Sequence, residues 1–443
     1  QTVRDQITNL IYEFSNKNEA GIVEARKKAF EISRSFLWKN LIQNYEEVYQ
    51  LALERFSLRS PALERILEMP PRTYMDPAES NEPIWKSAMV RFKVPEVLKD
   101  LETLSKNLWW TWHPEASALF ASIDAILWEK ANHNPIALLG SLSHTRFLEL
   151  SKDAGFMSNL DQIIKKFDAY MLGTPQKKGP KVAYLCLEYG LHESLPLYSG
   201  GLGILAGDYL KEASDRQVDM VAFGLLYRYG YFKQGLTLHG DQVAHYEKQH
   251  FTQLPIRPVR DSEGNRLILQ LPLRGPLIMV QVWKVSVGRV TLYLFDTDIP
   301  ENSDENKRIT HHLYGGDSEY RFRQELLIAA NAIQLLEVLK ITPDLYHYNE
   351  GHTAFTSLIR VVKLVAQENM SFEEAEQFVR ASTLFTTHTP VPAGHDLFGE
   401  DLLRSYQSHF ADTLNVPWER FLGLGKINPT DHNEKFSMTH LAT

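Results

Sequence analysis

The strongest constraint on the fold is a change of pattern near residue 180, after which short apolar runs alternate with helical stretches. The apolar runs cover residues 182–189, 218–227, 342–349 and 381–388. Short apolar runs that alternate with amphipathic helices are typical of βα units around a parallel sheet. The sequence therefore predicts an α/β fold that begins after the Gly- and Pro-bracketed linker 173–180.

Residues 266–296 break this alternation. RLILQLPL, LIMVQVWKVSV and RVTLYLFD alternate apolar and polar side chains and are separated by turn residues. Antiparallel strands with one exposed face show this period of two. We therefore expect a β insertion here rather than another crossover unit.

The sequence before the linker is mostly helical. Residues 1–56 carry apolar side chains near a helical period, and 57–172 contain a second such region with four tryptophans at 109, 110, 112 and 128. Tryptophans at helical spacing more often belong to a core than to a sugar-stacking platform. The predicted organisation is a helical extension (1–56), a helical domain (57–172) and an α/β lobe (181–443).

The composition disfavours several classes of function. A formal charge of -8, with 47 Lys and Arg against 55 Asp and Glu, leaves no basic surplus for nucleic acid. No stretch approaches the roughly 18 apolar residues of a membrane span, so no membrane partner is expected. The single cysteine, Cys186, cannot form an intrachain disulfide, which favours a reducing, cytoplasmic location.

A glycine-rich turn follows the first apolar run. The run ends in Glu188 and Tyr189, and Gly201, Leu202 and Gly203 open the next helical stretch. Ligands of open parallel sheets bind where the strands end, glycines let backbone N–H groups approach them, and a helix start carries partial positive charge. The turn predicts an anion cradle, with a tight turn that packs closely on the helix as the alternative. The same glycine spacing fits a dinucleotide fingerprint less well, because Asp219 precedes most of its apolar run.

The third and fourth runs also end in polar side chains. His347, Asn349, Glu350 and His352 lie at the end of the third run, and His388 at the end of the fourth. Because parallel strands end at one edge, we expect these groups to gather there for hydrogen bonding and proton handling. Their spacing is not that of a helical zinc motif, so no metal is predicted. A structural role remains the alternative for each histidine.

Six ordered strings from about residue 60 to 443 are highly specific. They are LSKNLWWTWHPEA with HNPIALLG, LEYGLHESLPLYSGGLGILAGDYLKEASD, GLLYRYGYFKQ, LYGGDSEYRFRQE, YHYNEGHTAF and FTTHTPVPAGHDLF. With them the chain resembles the α-glucan (glycogen/maltodextrin) phosphorylase family, especially its bacterial branch with a helical N-terminal region.

This resemblance implies a glycosyltransferase of the GT-B fold, with two Rossmann-like lobes and an active site between them. Such enzymes use pyridoxal 5'-phosphate, whose phosphate donates and accepts a proton. Inorganic phosphate then cleaves the terminal α-1,4-glucosidic bond of the glucan and releases glucose 1-phosphate. The present chain would be the N-terminal Rossmann-like lobe.

The resemblance also implies roles for individual residues. Gly201, Leu202 and Gly203 would place backbone N–H groups beside the phosphates and the sugar. His388 would hydrogen-bond the glucosyl unit. The residues that would line or brace the same pocket are Glu188, Arg321, Glu350 and His352.

One departure from the family is decisive for activity. The cofactor lysine and the phosphate-holding basic residues belong to the second, C-terminal lobe, and the sequence stops before such a lobe. We therefore expect the chain to be inactive alone and to need that lobe, as a continuation or as a separate subunit, in an enzyme that can form homo-oligomers.

Residues 1–56 lie outside the phosphorylase pattern. They resemble the closing helices of a glycogen-synthase-type module, with a plain helical extension as the alternative. Two other functions stay open at this stage: a nucleotide-sugar-dependent GT-B glucosyltransferase, similar to glycogen or starch synthase, and a glycan-binding module without chemistry.

Overall fold

The computed structural model describes residues 20–24, 27–28, 46–51, 94–173, 179–388 and 394–443. The chain divides into two units, Gln1–Val48 and Tyr49–Thr443. The described residues of the first unit are helical. Most of the predicted extension 1–56, residues 57–93 and most of the predicted linker lie outside the described residues, so the proposed domain boundaries stay predictions.

Six α-helices of 6 to 19 residues are described in the N-terminal part of the second unit: α1 (Lys99–Ser105), α2 (Pro114–Ile123), α3 (Ala125–Lys130), α4 (Pro135–Ser141), α5 (His144–Lys152) and α6 (Ala154–Leu172). Side-chain oxygens of Asp124, Asn134, Ser143 and Asp153 accept hydrogen bonds from the first N–H groups of α3 to α6. Such caps satisfy donors that have no partner within a helix, which explains why the chain breaks into helices at these positions.

The tryptophans of this region form its core. Trp109 and Trp110 are 2% and 1% exposed, and Trp128 is also buried. They pack in one cluster with apolar side chains of all six helices. The prediction that the tryptophans at 109 and 110 are core residues rather than a sugar platform is confirmed.

Twelve strands are described: β1 (Val182–Leu185), β2 (Met220–Leu225), β3 (Lys233–Leu236), β4 (Gln242–His245), β5 (Ile256–Pro258), β6 (Ile268–Leu271), β7 (Ile278–Val287), β8 (Val290–Asp296), β9 (Leu345–Asn349), β10 (Thr383–Thr386), β11 (Leu397–Phe398) and β12 (Phe436–Ser437). Eight of them form one sheet, whereas β3 pairs only with β4 and β11 only with β12.

Five strands of the large sheet are parallel, in the spatial order β8-β2-β1-β9-β10. Counted along the chain, this is the order 3-2-1-4-5 of a Rossmann-like sheet. The direction of strand addition reverses between β1 and β9, which creates a topological switch point. The predicted α/β lobe with a parallel sheet is confirmed.

Residues 266–296 do form antiparallel strands, because β7 pairs antiparallel with β5, β6 and β8. However, β8 also pairs parallel with β2. The antiparallel strands therefore extend the main sheet rather than forming a separate insertion. β8 alternates in burial along its first half, so its sequence has the period of an antiparallel strand although its pairing is mixed.

The helices of the lobe are α7 (Gly201–Asp215), α8 (Asp304–Lys307), α9 (Ser318–Val338), α10 (Phe355–Glu368), α11 (Phe372–Ala381), α12 (Glu400–Leu414), α13 (Trp418–Leu422) and α14 (Met438–Leu441). The long α9 connects β8 to β9, and its Phe322 packs against Phe355 and Phe398 in a second core. Among the described residues, no helix combines the length and the apolar character needed to cross a bilayer.

Candidate functional site

The carboxyl ends of β1, β9 and β10 meet beside the switch point, where doubly wound sheets bind ligands. β9 lies between the other two strands, with Leu185 of β1 in register with Tyr348 and Thr386 of β10 in register with Asn349. The loops that follow these strands are therefore neighbours.

Glu350 ends β9 in an unusual backbone conformation, with φ of 71° and ψ of 164°. Residues other than glycine seldom adopt this region, which costs on the order of 1–3 kcal/mol. The buried carboxylate accepts hydrogen bonds from the backbone N–H of His388 and, at 3.2 Å, from the Thr387 hydroxyl. Glu350 thereby fixes the backbone that carries His388.

The imidazole of His388 is held by the neighbouring strand. Its Nε2 donates to Asn349 Oδ1 over 2.7 Å, and the Asn349 amide nitrogen donates to Cys186 Sγ over 3.3 Å. Partial burial lowers the pKa of His388, although Glu350 opposes the shift. A neutral ring that donates from Nε2 has an acceptor at Nδ1.

Glu188 connects the end of β1 with two further loops. Its buried carboxylate accepts the backbone N–H of Ser199 at 3.0 Å on one oxygen and the hydroxyl of Tyr314 on the other. The first loop leads into α7 and the second precedes α9. Glu188 is thus a structural junction at the same edge as Glu350.

The glycines of the turn have two different roles. A Cβ at Gly203 would lie 2.3 Å from Tyr198 Cβ and 2.9 Å from Glu188 Oε2, and a Cβ at Gly207 would lie 2.2 Å from the Gly190 carbonyl oxygen. These two glycines permit close packing of α7. At Gly200 and Gly201, by contrast, a Cβ would meet no atom of the described residues within 4 Å.

The start of α7 is consequently open. Among the described residues, no side chain caps this 15-residue helix. The first N–H groups of a helix, here those of Gly201, Leu202 and Gly203, have no intrahelical acceptor and lie at its positive end. This is the geometry of an anion-binding site, and Glu188 and Ser199 lie next to it.

Arg321 braces the site from α9. Its Nε donates to Glu325 over 2.9 Å and one terminal nitrogen to Asp396 over 3.2 Å, while the guanidinium lies 5.3 Å from the centre of the Tyr314 ring. Burial, followed by the nearby Asp396, raises the pKa of Glu325 well above its usual range. Burial opposes ionisation of Asp396 as well, yet the charge of Arg321 lowers its pKa. Glu325 is therefore the protonated member of a carboxyl pair.

His347 and His352 are buried behind the site. His352 Nε2 accepts the backbone N–H of Leu187 at 3.2 Å, and His347 Nε2 contacts the Thr386 hydroxyl at 2.7 Å. Burial lowers the pKa of each to about 3, with His388 adding to the shift in both cases. Both rings are neutral and connect adjacent strand ends.

Tyr189 is the candidate that does not face the edge. It is 1% exposed, and its hydroxyl donates to the Phe223 carbonyl of β2 over 2.8 Å. Its side chain packs in the core rather than at the edge, and a role of Tyr189 in ligand binding stays a prediction. Asp219 lies at the opposite edge, before β2, where it pairs with Lys181 at 2.6 Å. Asp219 therefore does not lie at the carboxyl edge of the sheet, where a dinucleotide site would need an acidic residue.

Tyr314, Glu325 and Asp396 were not predicted from the sequence. The pair Arg321 and Glu325 has the i, i+4 spacing of a helical ion pair, which is a readable signal. Tyr314 and Asp396 lie in loops and reach the site only through the fold. Within the described ranges, no three His, Cys, Asp or Glu side chains cluster as metal ligands.

A family model described as a protein of unknown function (DUF3417) matches residues 94–195. Maltodextrin phosphorylase of Thermococcus litoralis is 39% identical over 361 residues, covering 80% of this chain and 42% of that protein. The glycogen phosphorylase of Mycobacterium tuberculosis is 39% identical over 376 residues, with 80% and 43% covered. This chain is related to the α-glucan phosphorylases.

The glycogen phosphorylase of Aquifex aeolicus is 34% identical over 348 residues, covering 78% of this chain and 50% of that protein. The chain thus spans half or less of the length of these curated relatives. The relation to α-glucan phosphorylases that the six strings indicate is confirmed.

Proposed function

We propose that the chain is the N-terminal lobe of an α-glucan phosphorylase. The complete enzyme would cleave terminal α-1,4-glucosidic bonds with inorganic phosphate and release glucose 1-phosphate. The observation that carries this proposal is the uncapped start of α7 at the same sheet edge as Glu188, Glu350 and His388. An anion site beside hydrogen-bonding groups suits a reaction that joins a sugar to phosphate.

In this proposal each group has a distinct task. The open N–H groups at Gly201 and Leu202 bind an anionic oxygen, and their position on a rigid helix avoids reorganisation during the reaction. His388, fixed by Asn349 and Glu350, hydrogen-bonds the glucosyl unit. Arg321 acts indirectly, since its contacts are Glu325, Asp396 and the ring of Tyr314.

Pyridoxal 5'-phosphate is the proposed cofactor, attached to a lobe outside this chain. When bound, it supplies a phosphate that exchanges a proton with the reacting groups. The residues present fit such a group, because the backbone at Gly200 and Gly201 is open, with no described atom within 4 Å of a Cβ built there. These N–H groups would hold anionic oxygens in the cleft.

The proposal includes three further features of the whole protein. It needs a completing C-terminal lobe, it can form a homo-oligomer, and it is cytoplasmic, as the lone buried thiol of Cys186 suggests. We also retain the proposed domains 1–56, 57–172 and 181–443.

The test uses the polypeptide extended through its second lobe. We expect glucose 1-phosphate from maltoheptaose and phosphate, and a Schiff-base absorbance that borohydride traps on a lysine. The 443-residue chain assayed in parallel should form none. Glucosyl transfer from ADP-glucose without a trapped cofactor would identify a nucleotide-sugar glucosyltransferase instead. Maltoheptaose binding without either reaction would identify a glycan-binding module.

A further inference from the structure

A continuous aromatic patch lies next to the site. It consists of Tyr231, Phe232, Tyr246, His312 and Tyr314. The ring centres of Tyr231 and Phe232 are 4.5 Å apart, those of Phe232 and Tyr246 6.2 Å, and those of Tyr246 and His312 4.6 Å. Tyr231 also meets Tyr314 edge-on at 6.4 Å.

Three rings of the patch are well exposed: Tyr231 is 38%, Tyr246 46% and Tyr314 47% accessible. Single apolar residues on a surface are ordinary, but a contiguous exposed group marks a binding surface. Burial also lowers the pKa of His312, so the patch carries no cationic ring. An uncharged aromatic surface suits an uncharged ligand.

The patch stands on a rigid base. Two segments, 228–230 and 310–313, are joined by backbone hydrogen bonds: Arg228 N–H donates to Thr310, Tyr229 N–H to His311 and Leu313 N–H to Gly230, at 2.9 to 3.0 Å. The ring of Tyr229 stacks on His312 with ring centres 5.1 Å apart. Side chains that are held before binding lose less entropy when a ligand arrives.

The patch is continuous with the candidate site. Tyr314 donates its hydroxyl to Glu188, the carboxylate that also binds the loop before α7. A ligand chain that leaves the sheet edge past Tyr314 therefore meets Tyr231 next, and then Phe232 and Tyr246.

We propose that Tyr231, Phe232 and Tyr246 bind glucosyl units of the α-1,4-glucan beyond those held at the reaction site, and thereby favour long chains. This inference rests on the proposed phosphorylase function. A pyranose ring has an apolar C–H face that packs on an aromatic ring and hydroxyl groups that need polar partners. Polar partners are present, since Lys233 and Glu247, which form an ion pair of 2.7 Å, lie on the same segments as the three rings.

The experiment compares substrates of different length in the polypeptide that contains both lobes. For Tyr231→Ala and Tyr246→Ala, kcat/KM on a maltodextrin of about twenty units, divided by kcat/KM on maltotetraose, should fall roughly three- to tenfold, the loss expected for one aromatic contact. Tyr231→Phe keeps the ring and should restore the ratio. Leu238→Ala is the matched control, because Leu238 is fully exposed on the same hairpin and belongs to no ring contact.

An unchanged ratio in both alanine variants overturns the proposal. So does a changed oligomeric state with an unchanged ratio, which would assign the patch to a second copy of the chain. If no glucan yields glucose 1-phosphate, the proposed function fails. Glucan binding by the patch is then tested separately, by the retardation of the protein in native gels that contain soluble amylopectin. Retardation of the wild type that both alanine variants lose supports glucan binding, and equal mobility of all three proteins refutes it.

Discussion

Gly207→Ala tests the closest backbone approach in the lobe. A Cβ at this position would lie 2.2 Å from the carbonyl oxygen of Gly190 and 2.6 Å from its carbonyl carbon. These are backbone atoms and cannot rotate away, and the N–H of Gly190 donates to the Gly203 carbonyl over 2.6 Å, which ties the loop to the helix. Because non-bonded heavy atoms pack at about 3.5 Å, α7 must retreat by about 1 Å.

The cost follows from two opposing effects. Overpacking costs about 1–3 kcal/mol, and contact with rigid backbone places this variant at the upper end, whereas alanine in a helix gains up to about 1 kcal/mol over glycine. We expect the free energy of unfolding to fall by about 2 kcal/mol, and the activity of the complete enzyme to fall with it as the start of α7 moves.

The measurement is urea denaturation of the two-lobe polypeptide followed by tryptophan fluorescence. Gly201→Ala is the control, since its Cβ would meet nothing within 4 Å and should leave stability unchanged or slightly higher. Equal midpoints and slopes for the two variants would refute the packing argument.

Three further predictions concern single side chains. His388→Ala should lower turnover without shifting the urea midpoint, because the partly buried ring belongs to neither hydrophobic core, and turnover near the wild-type value would contradict its assigned role. With its raised pKa, Glu325 keeps a proton in the folded state that the unfolded chain releases above pH 4.5, the ordinary pKa of a glutamate, so the free energy of unfolding should fall as pH rises. Glu325→Gln should make this fall shallower. Urea denaturation at several pH values between about 5 and 8 measures it, and the same pH dependence in wild type and variant would exclude a protonated Glu325. The Cys186 thiol, whose pKa burial raises to about 12, should react with iodoacetamide only in denaturant, and mass-spectrometric labelling of the native protein would show that it is accessible.

The sequence predicts the parallel strands well because they are short, apolar and separated by helices. Each of the four apolar runs contains a strand of the parallel sheet, from β1 at Val182–Leu185 to β10 at Thr383–Thr386. The position of β8 beside β2 could not be predicted from the sequence. Strand order depends on contacts between residues about 70 positions apart, and such contacts leave no local sequence pattern.

The candidate site, like the sheet, could be predicted only in part. The common location of Glu188, Asn349, Glu350 and His388 could be predicted because parallel strands end at one edge, whatever their order. The direction of Tyr189 was missed, because one residue decides whether a side chain after a strand faces the edge or the core. Tyr314 depends on a loop more than 120 residues from its partner Glu188.

The backbone at Glu350 has a consequence for engineering this lobe. A glycine there would relax a conformation that costs on the order of 1–3 kcal/mol, so Glu350→Gly would remove a local backbone strain. The same exchange would release the segment behind β10 from its only carboxylate anchor among the described hydrogen bonds. The relief of backbone strain and the loss of the support for His388 therefore oppose each other at this one position.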